Sequence, residues 1–341
     1  MMRHKRNQIM NNKINWGILG CGGIANKFAY SAKAVNDAEV IAAASRTEGK
    51  AEAFAAKHGI ENVYTDYTSL LNNNDVDAVY VATTHNYHYE NIKEILEAGK
   101  HVLCEKPMTV NGAEMRALKA LAAEKKLFMM EGMWTRFIPA IVYVRELLDR
   151  KVIGEIKQIR ATFGFKFPFE PEHRLFNPAL AGGAMLDAGI YPLSFANMVM
   201  REKPVEIKAL AEIGTTGVDV QSTYIFRYES GALAMLNSTV NAPVVSRAEI
   251  IGTEGRITLP ERFHGADEVC LDLIDSDTVK KRFEYDDKVG FQFEISAASQ
   301  SIREGKLENE IMPLSDTVQL METIDEIKDQ LGLVYDNDKR R

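Results

Sequence analysis

The chain has 341 residues, 26% charged and 46% hydrophobic, with a formal net charge of −7. That length predicts two domains, and the composition is that of an ordinary soluble globular protein. The acidic balance argues against nonspecific nucleic-acid binding, which needs basic surface, and no apolar run is long enough to span a bilayer.

In chain order, Met1 to Asn12 is polar and basic without an apolar core, so it is no signal peptide and reads as a disordered tail. Arg3, Lys5 and Arg6 read there as a solvated group rather than as contacts to an acidic partner. Beyond it, short apolar runs alternate with helical patterns, the signature of a parallel sheet. Strands are expected at Ile14 to Leu19, Glu39 to Ala44, Ala78 to Ala82, His101 to Cys104 and Leu127 to Met130. These runs are nearly all apolar, as strands covered on both faces should be. Between them, Ile92, Ile95 and Leu96 share a helical face that Gly99 can cap, and Met115, Leu118 and Ala122 form a stripe after Asn111.

After about Met133 the period changes. Phe163, Phe165 and Phe167 alternate with other residues. So do Val205, Ile207, Ala209, Ala211 and Ile213, and then Val220, Ser222, Tyr224, Phe226 and Tyr228. Period two means half-exposed, mostly antiparallel strands. Helices are expected near Ile138 to Asp149, Ile190 to Met200 and Ser315 to Leu331. The second unit therefore reads as an α+β domain: an open, mostly antiparallel sheet with helices on one face. No internal repeat or low-complexity linker separates the two, so the boundary is tight, near Gly132 to Arg136, with units at 13–133 and 134–341. Cys21, Cys104 and Cys270 lie far apart with no Cys-x-x-Cys spacing, which predicts free thiols, a reducing cytoplasm and no structural metal.

The first strand runs into Gly20-Cys21-Gly22-Gly23-Ile24-Ala25 and then a helix, the context of a dinucleotide-binding turn. Gly20 permits the tight turn, Gly22 lets backbone approach a pyrophosphate, and Ala25 lets the helix pack on the strand. The N–H groups of the helix start, around Gly23 and Ile24, then face the phosphates. Alone, such a turn is also a plain strand–helix connection; its place at the head of an alternating unit makes that unit a Rossmann domain. The second strand ends Ala44-Ser45-Arg46-Thr47, with no carboxylate to accept the ribose hydroxyls of NAD. Arg46 can fork onto a 2′-phosphate and Ser45 can donate to it, which favours NADP. Glu48 is near enough in sequence to leave NAD possible, and an ordinary exposed arginine is the alternative.

Glu105-Lys106-Pro107 stands at the carboxyl end of a strand, where open α/β sheets bind ligands. Pro107 disfavours helix at Lys106, so this lysine is expected to extend into the crevice; the alternative is a solvated loop lysine. Further on, the run Ala181 to Pro192, read as a helix, puts Asp187 and Tyr191 on one face. Pro192 fits only if that helix begins nearby or kinks. A phenol with a free pKa of about 10 needs help to move a proton at neutral pH. An ammonium such as Lys106 beside it favours the phenolate and lowers that pKa. The plain alternative is a core tyrosine with its hydroxyl bonded and an aspartate capping a helix. His85 and His88 follow the strand ending at Thr83. No carboxylate or cysteine cluster accompanies them, so a place beside the nicotinamide is expected rather than a metal. Ordinary helix-start histidines are the alternative.

With these motifs in this order, the chain resembles the glucose–fructose oxidoreductase, inositol dehydrogenase and MocA superfamily over nearly its whole length. Within it, the chain is most similar to the dimeric dihydrodiol dehydrogenase branch, also described as NADP-dependent D-xylose dehydrogenases. The matching stretches are Glu131 to Phe137, Arg174-Leu175-Phe176 and Leu180 to Tyr191. The resemblance implies that Lys106 and Tyr191 are the catalytic pair with Asp187 as supporting carboxylate. It implies that Trp134, Phe163 and Arg174 line the substrate pocket and that Thr83, His85 and His88 lie along the ribose and nicotinamide. Tyr191 replaces a histidine, and His85 an asparagine, of many superfamily members; both changes fit the dihydrodiol branch and put myo-inositol dehydrogenation in doubt. Family members commonly dimerise through the open sheet, so a homodimer or higher homo-oligomer is expected.

The expected function is reversible hydride transfer between NADP and the CH–OH or C=O carbon of a small molecule: a sugar, a polyol or a cyclic diol. Other readings are a sugar oxidoreductase that retains its NADP, a reductase of a non-sugar carbonyl, and a regulator that senses NAD(P) without chemistry. The intact Lys106 and Tyr191 weigh against the regulator, which needs neither.

Overall fold

In the computed structural model of the chain, residues 13–285 and 290–340 are described. The tail expected at Met1 to Asn12 lies outside them. The first sheet holds β1 (Ile14–Leu19), β2 (Ala38–Ala44), β3 (Asn62–Tyr64), β4 (Ala78–Val81), β5 (His101–Glu105) and β6 (Met129–Gly132). Every neighbouring pair is parallel, in the order β3-β2-β1-β4-β5-β6. The crossovers are α1 (Gly23–Ala32), α2 (Lys50–His58), α3 (Tyr67–Leu71), α4 (His88–Glu97) and α5 (Gly112–Lys125). Asn111 caps α5 by accepting from the Glu114 N–H at 2.9 Å, a partner for one of the N–H groups a helix start leaves open.

The second half begins with α6 (Pro139–Asp149), β7 (Ile156–Gly164) and α7 (Ile190–Met200). The strands β8 (Glu206–Ile213), β9 (Asp219–Arg227), β10 (Leu233–Thr239), β11 (Arg247–Gly252), β12 (Gly255–Leu259), β13 (Glu268–Leu273) and β14 (Val279–Arg282) follow. Two helices, α8 (Gln292–Arg303) and α9 (Leu314–Leu331), end the regular structure. The sheet order is β14-β13-β12-β11-β7-β10-β9-β8, antiparallel except between β7 and β10. Along β9, Val220, Ser222, Tyr224 and Phe226 are buried while Gln221, Thr223, Ile225 and Arg227 are exposed. That is the alternation of a sheet with one covered face.

Three features depart from the sequence reading. Phe165 and Phe167 lie past the end of β7, though their N–H groups still reach the Thr239 and Val240 carbonyls at 3.0 and 2.9 Å. The strands β3, β10 and β11 to β14 were not expected; β14 (Val-Lys-Lys-Arg) carries no apolar alternation at all. Nor was α8, which packs beside α1 over β1 and β2 of the first sheet. There Trp16 donates its indole N–H to Ser299 at 3.3 Å. Small and polar residues on α8 meet a large buried aromatic, so no apolar stripe announces the contact. Trp16 in turn meets Phe28 edge-on, and Phe28 stacks on Tyr80 with ring centroids 3.8 Å apart. This aromatic column holds α1 on the sheet and aims the Tyr80 hydroxyl at Glu105, to which it donates.

Candidate functional site

Between β1 and β4 the strand order reverses, so the loops at their carboxyl ends part and leave a crevice. The cleft there has a volume of about 660 Å³. Gly20, Gly22, Gly23, Ile24, Ser45, Arg46, Thr83, His85, Glu105 and Lys106 line it, with Arg174 and Asp187 from the second half.

The turn after β1 is built for close approach. Gly20 has φ 90°, and a Cβ there would stand 2.8 Å from the Ala82 carbonyl oxygen. No other residue fits that backbone. At Gly22 and Gly23 the reason is different: no protein atom lies within 4 Å of where a Cβ would be. Both face the cleft, and α1 starts there with no side-chain cap. Its first N–H groups are therefore left for a ligand, and an anion suits them best. These residues fit a dinucleotide pyrophosphate.

At the β2 end of the cleft, Arg46 lies between two phenols, its Cζ 4.8 Å from the Tyr67 centroid and 4.9 Å from that of Tyr87. Lys27 and Lys50 also line the cleft, whereas Glu48 is exposed and outside its wall. The only carboxylates in the wall, among the described residues, are Glu105 and Asp187, both at the other end.

At that end the run expected to be helical from Ala181 starts later: Ala181 and Gly183 have positive φ and lie ahead of the helix, which opens with a π turn, Met185–Gly189, running into α7 through Pro192. Pro192 carries no N–H for the carbonyl four or five residues back, at Ala188 or Asp187. The Asp187 carbonyl accepts from Lys106 Nζ instead, at 2.8 Å. Lys106 Nζ also lies 3.8 Å from Asp187 Oδ1 and 4.8 Å from the Tyr191 ring centroid. Arg174 closes on the same Oδ1 at 2.6 Å. The start of the helix is fixed from below. Met185 N–H donates to Asp219 Oδ2 at 2.8 Å, and Gly183, at φ 117°, leaves no room for a Cβ against Asp219.

Tyr191 is enclosed by rings. Its hydroxyl oxygen accepts from Trp134 Nε1 at 3.1 Å, and Phe163 stands 4.9 Å away, centroid to centroid. His264, absent from the sequence reading, completes the wall at 5.6 Å from Tyr191 and 4.3 Å from Phe163. Its Nδ1 is buried with no partner among the described residues. A lone histidine in a loop after β12 carries no linear signal; only the fold brings it here.

His85 and His88 divide. His85 is in the cleft wall, with Nδ1 3.2 Å from the Ala181 carbonyl oxygen. His88 is fully buried beneath it, its ring nitrogens 2.8 Å from the Pro107 carbonyl oxygen and 3.0 Å from that of Thr83. His88 was expected beside His85 along the ribose and nicotinamide; the structure sets it behind the cleft wall. Facing inward from the first turn of α4, it ties the loops that carry Thr83 and Lys106. Among the described residues, no group of three His, Cys, Asp or Glu side chains is placed to hold a metal ion. The cysteines Cys21, Cys104 and Cys270 are free thiols.

The charges follow from burial and pairing. Burial alone would raise the Asp187 carboxyl, but the Lys106 and Arg174 cations outweigh it and hold it down at about 2. Burial works against the Lys106 ammonium too; its neighbours Tyr191, Asp187 and Glu105 more than offset this and keep it charged. Burial pushes His85 down to about 3 and His264 to about 4, so both are neutral at pH 7. Tyr191 corrects the expectation. Lys106 does pull its phenol down, yet burial outweighs that pull and leaves it above its ordinary value. At neutral pH the phenol therefore holds its proton.

Residues 14–133 match an oxidoreductase family with an NAD-binding Rossmann fold, and residues 141–258 match the GFO/IDH/MocA C-terminal domain. The trans-1,2-dihydrobenzene-1,2-diol dehydrogenase of Xenopus tropicalis is 34% identical over 327 residues, covering 94% of this chain and 98% of its own. The human enzyme of that name is 31% identical over 334 residues, covering 96% and 99%. A 3-ketoreductase from Actinomadura kijaniata, solved with NADP and TDP-benzene, superposes with a TM-score of 0.84 at 28% identity, covering 94% and 98%. An aldose-aldose oxidoreductase from Caulobacter crescentus shares the fold, with a TM-score of 0.85 at 24% identity, covering 93% and 97%. With both halves matched in order and its glycine turn built to receive a pyrophosphate, the chain belongs to the Gfo/Idh/MocA oxidoreductases and is an NAD(P)-dependent enzyme.

Proposed function

We propose that this enzyme uses NADP and transfers a hydride to or from the CH–OH/C=O carbon of a sugar, a polyol or a cyclic diol. One observation carries the reading: Lys106 Nζ bridges the Asp187 carbonyl, 2.8 Å away, and the Tyr191 ring, 4.8 Å from its centroid, at the closed end of a dinucleotide cleft. When bound, the nicotinamide supplies the hydride and takes it back. The protein supplies the proton. Tyr191 Oη gives its proton to the carbonyl oxygen in reduction; in oxidation its phenolate form, left once that proton has gone to solvent, takes the proton of the substrate hydroxyl. As the proton leaves, the Lys106 ammonium and the Trp134 indole N–H stabilise the phenolate oxygen. Asp187 holds Lys106 and Arg174 in register, leaving Arg174 able to donate to a substrate hydroxyl. Phe163, Trp134 and His264 offer an apolar wall to the C–H face of a ring. Thr83, His85 and Glu105 border the ribose and nicotinamide, and Ser45 and Arg46 take the 2′-phosphate with Lys50 beside them.

NADP in the Actinomadura ketoreductase and the diol named for the vertebrate relatives support this reading. Residues 13–133 then serve as the dinucleotide-binding unit and 134–341 as the substrate-binding and dimerising unit. A homodimer through the outer face of the second sheet and a cytoplasmic location complete the proposal. No helix of the described residues is long and apolar enough to cross a membrane.

The test is reduction of NADP and of NAD, followed by absorbance, across aldoses, inositols and cyclic trans-diols. Turnover with at least one diol or aldose, and a clear preference for NADP, is the expected result. Tight NADP binding with no turnover on any member of the panel would replace it with the nucleotide-sensing reading.

A further inference from the structure

The segment from Leu333 to Asp338 touches none of the reacting groups, yet it bonds to both walls beside them. Lys328 of α9, fully buried, anchors it: Nζ donates to the Val110 carbonyl at 2.8 Å and pairs with Asp338 Oδ1 at 2.5 Å. Asp338 Oδ2 accepts from the Tyr335 N–H at 2.9 Å, which closes the turn. Two side chains leave this anchored turn toward different walls. Tyr335 Oη donates to the Gly182 carbonyl at 2.7 Å, just ahead of the helix that carries Asp187 and Tyr191. Asn337 Nδ2 donates to the Asn86 carbonyl at 3.2 Å and to Glu114 Oε1 at 3.0 Å. The Asn337 carbonyl accepts from Asn111 at 3.1 Å. Asn86 stands between His85 and Tyr87, both in the cleft wall. Tyr335 is 3% exposed and Asn337 5%; the bond to Gly182 is buried, and the bond to the half-buried Asn86 is partly shielded from water. A buried hydrogen bond costs more to break than an exposed one, because the group left behind has no solvent to turn to.

We propose that Tyr335 and Asn337 are positioning residues: the C-terminal turn clasps the two walls of the cleft and fixes the distance between His85 and Lys106 on one side and Asp187 and Tyr191 on the other. The proposal rests on reading this cleft as the hydride-transfer site. Across the cleft itself, the described residues offer few direct ties: His85 to Ala181, Lys106 to Asp187 and the Lys106–Tyr191 stack. A clasp tied at both ends resists their separation; tied at one end only, it does not. Cutting either end should therefore release the same constraint.

The test uses the full chain with Tyr335→Phe, which keeps the ring and removes only the hydroxyl, with Asn337→Ala, and with the double substitution. Each single change is expected to lower kcat about tenfold, short of the roughly hundredfold that a misplacement of about 1 Å can cost. The double variant is expected to match the weaker single variant, because the constraint is already gone. Hydrogen exchange needs no turnover, so it separates a failed clasp from a failed substrate assignment. In Tyr335→Phe, amides at 182–187 and also at 85–91 should exchange faster. Multiplying kcat losses, or faster exchange confined to the wall whose own bond was cut, would overturn the clasp and leave two independent packing contacts.

Discussion

Lys106 donates to a carbonyl, faces a carboxylate and lies over a phenol ring. Replacing it with methionine keeps the stem and removes the charge. Lys106→Met is expected to lower kcat by about 10²- to 10⁴-fold, the range of a lost acid–base component, with NADP affinity by fluorescence titration changing far less. Unchanged turnover would remove the mechanism. Asp219 makes a different prediction. Burial raises its carboxyl from an ordinary 3.8 to about 6, against bonds from Ser222 and Met185 that pull it down. A carboxyl whose folded pKa exceeds its unfolded value keeps its proton longer in the folded state. The stability it lends is whole below pH 4 and is lost as pH rises through 6, by about 3 kcal/mol from a shift of about two units. Asp219→Asn should flatten the fall in thermal midpoint across pH 4 to 7; an unaltered slope would assign that fall to other groups. Single residues such as Lys106 and Tyr191 were legible because motifs and a family resemblance marked them. His264 and Tyr335 were not, because nothing beside either in the chain reports what it will face.

The helix bearing Asp187 and Tyr191 shows how an element tunes a site. Its π turn admits Pro192 and leaves the Asp187 carbonyl to Lys106. Pro192→Ala restores an N–H to the helical ladder, and stability should rise by up to about 3 kcal/mol, the interior cost of proline. The same N–H competes with Lys106 for the carbonyl, so kcat should fall. Opposite signs in the thermal midpoint and in kcat would support this account; a variant that loses stability as well as rate would contradict it. The sequence flagged Pro192 as out of place in a regular helix, but not which distortion would absorb it. A π turn and a plain kink both accommodate the missing N–H, and the close approach of Tyr224 and Ser238 to Gly189, where a Cβ would collide, comes from strands far along the chain. Five strands of the first sheet were legible for the opposite reason: covered on both faces, they are nearly all apolar; the short, half-buried β3 was not among them. The strands β11 to β14 were not: β11 and β12 do alternate, with Ala248, Ile250, Ile257 and Leu259 buried, but over too few residues to stand out, and β14 is mostly charged and exposed throughout.

Across the whole molecule, the outer face of the second sheet stays open. Leu210, Ile225 and Leu233 are exposed there, Leu210 by 79%. If two copies pair through this face, symmetry places each leucine in the interface twice. Leu210→Asp is then expected to weaken the dimer at least about a hundredfold, from roughly 1.5–3 kcal/mol per buried leucine, with far-UV circular dichroism unchanged. Sedimentation that finds the same mass in both proteins would remove that interface. The sequence by itself determined the two-unit order, the parallel first sheet, the pyrophosphate turn and the residue types available for chemistry. All of these are local, because period, glycine placement and strand ends are written within a few neighbouring positions. Tertiary structure alone decided that α8 covers the first sheet, that His88 is buried between the loops of Thr83 and Pro107, that burial overrides Lys106 at the Tyr191 phenol, and that a C-terminal turn reaches both cleft walls. Each of these depends on desolvation and on contact between distant segments, and neither exists until the chain has closed on itself.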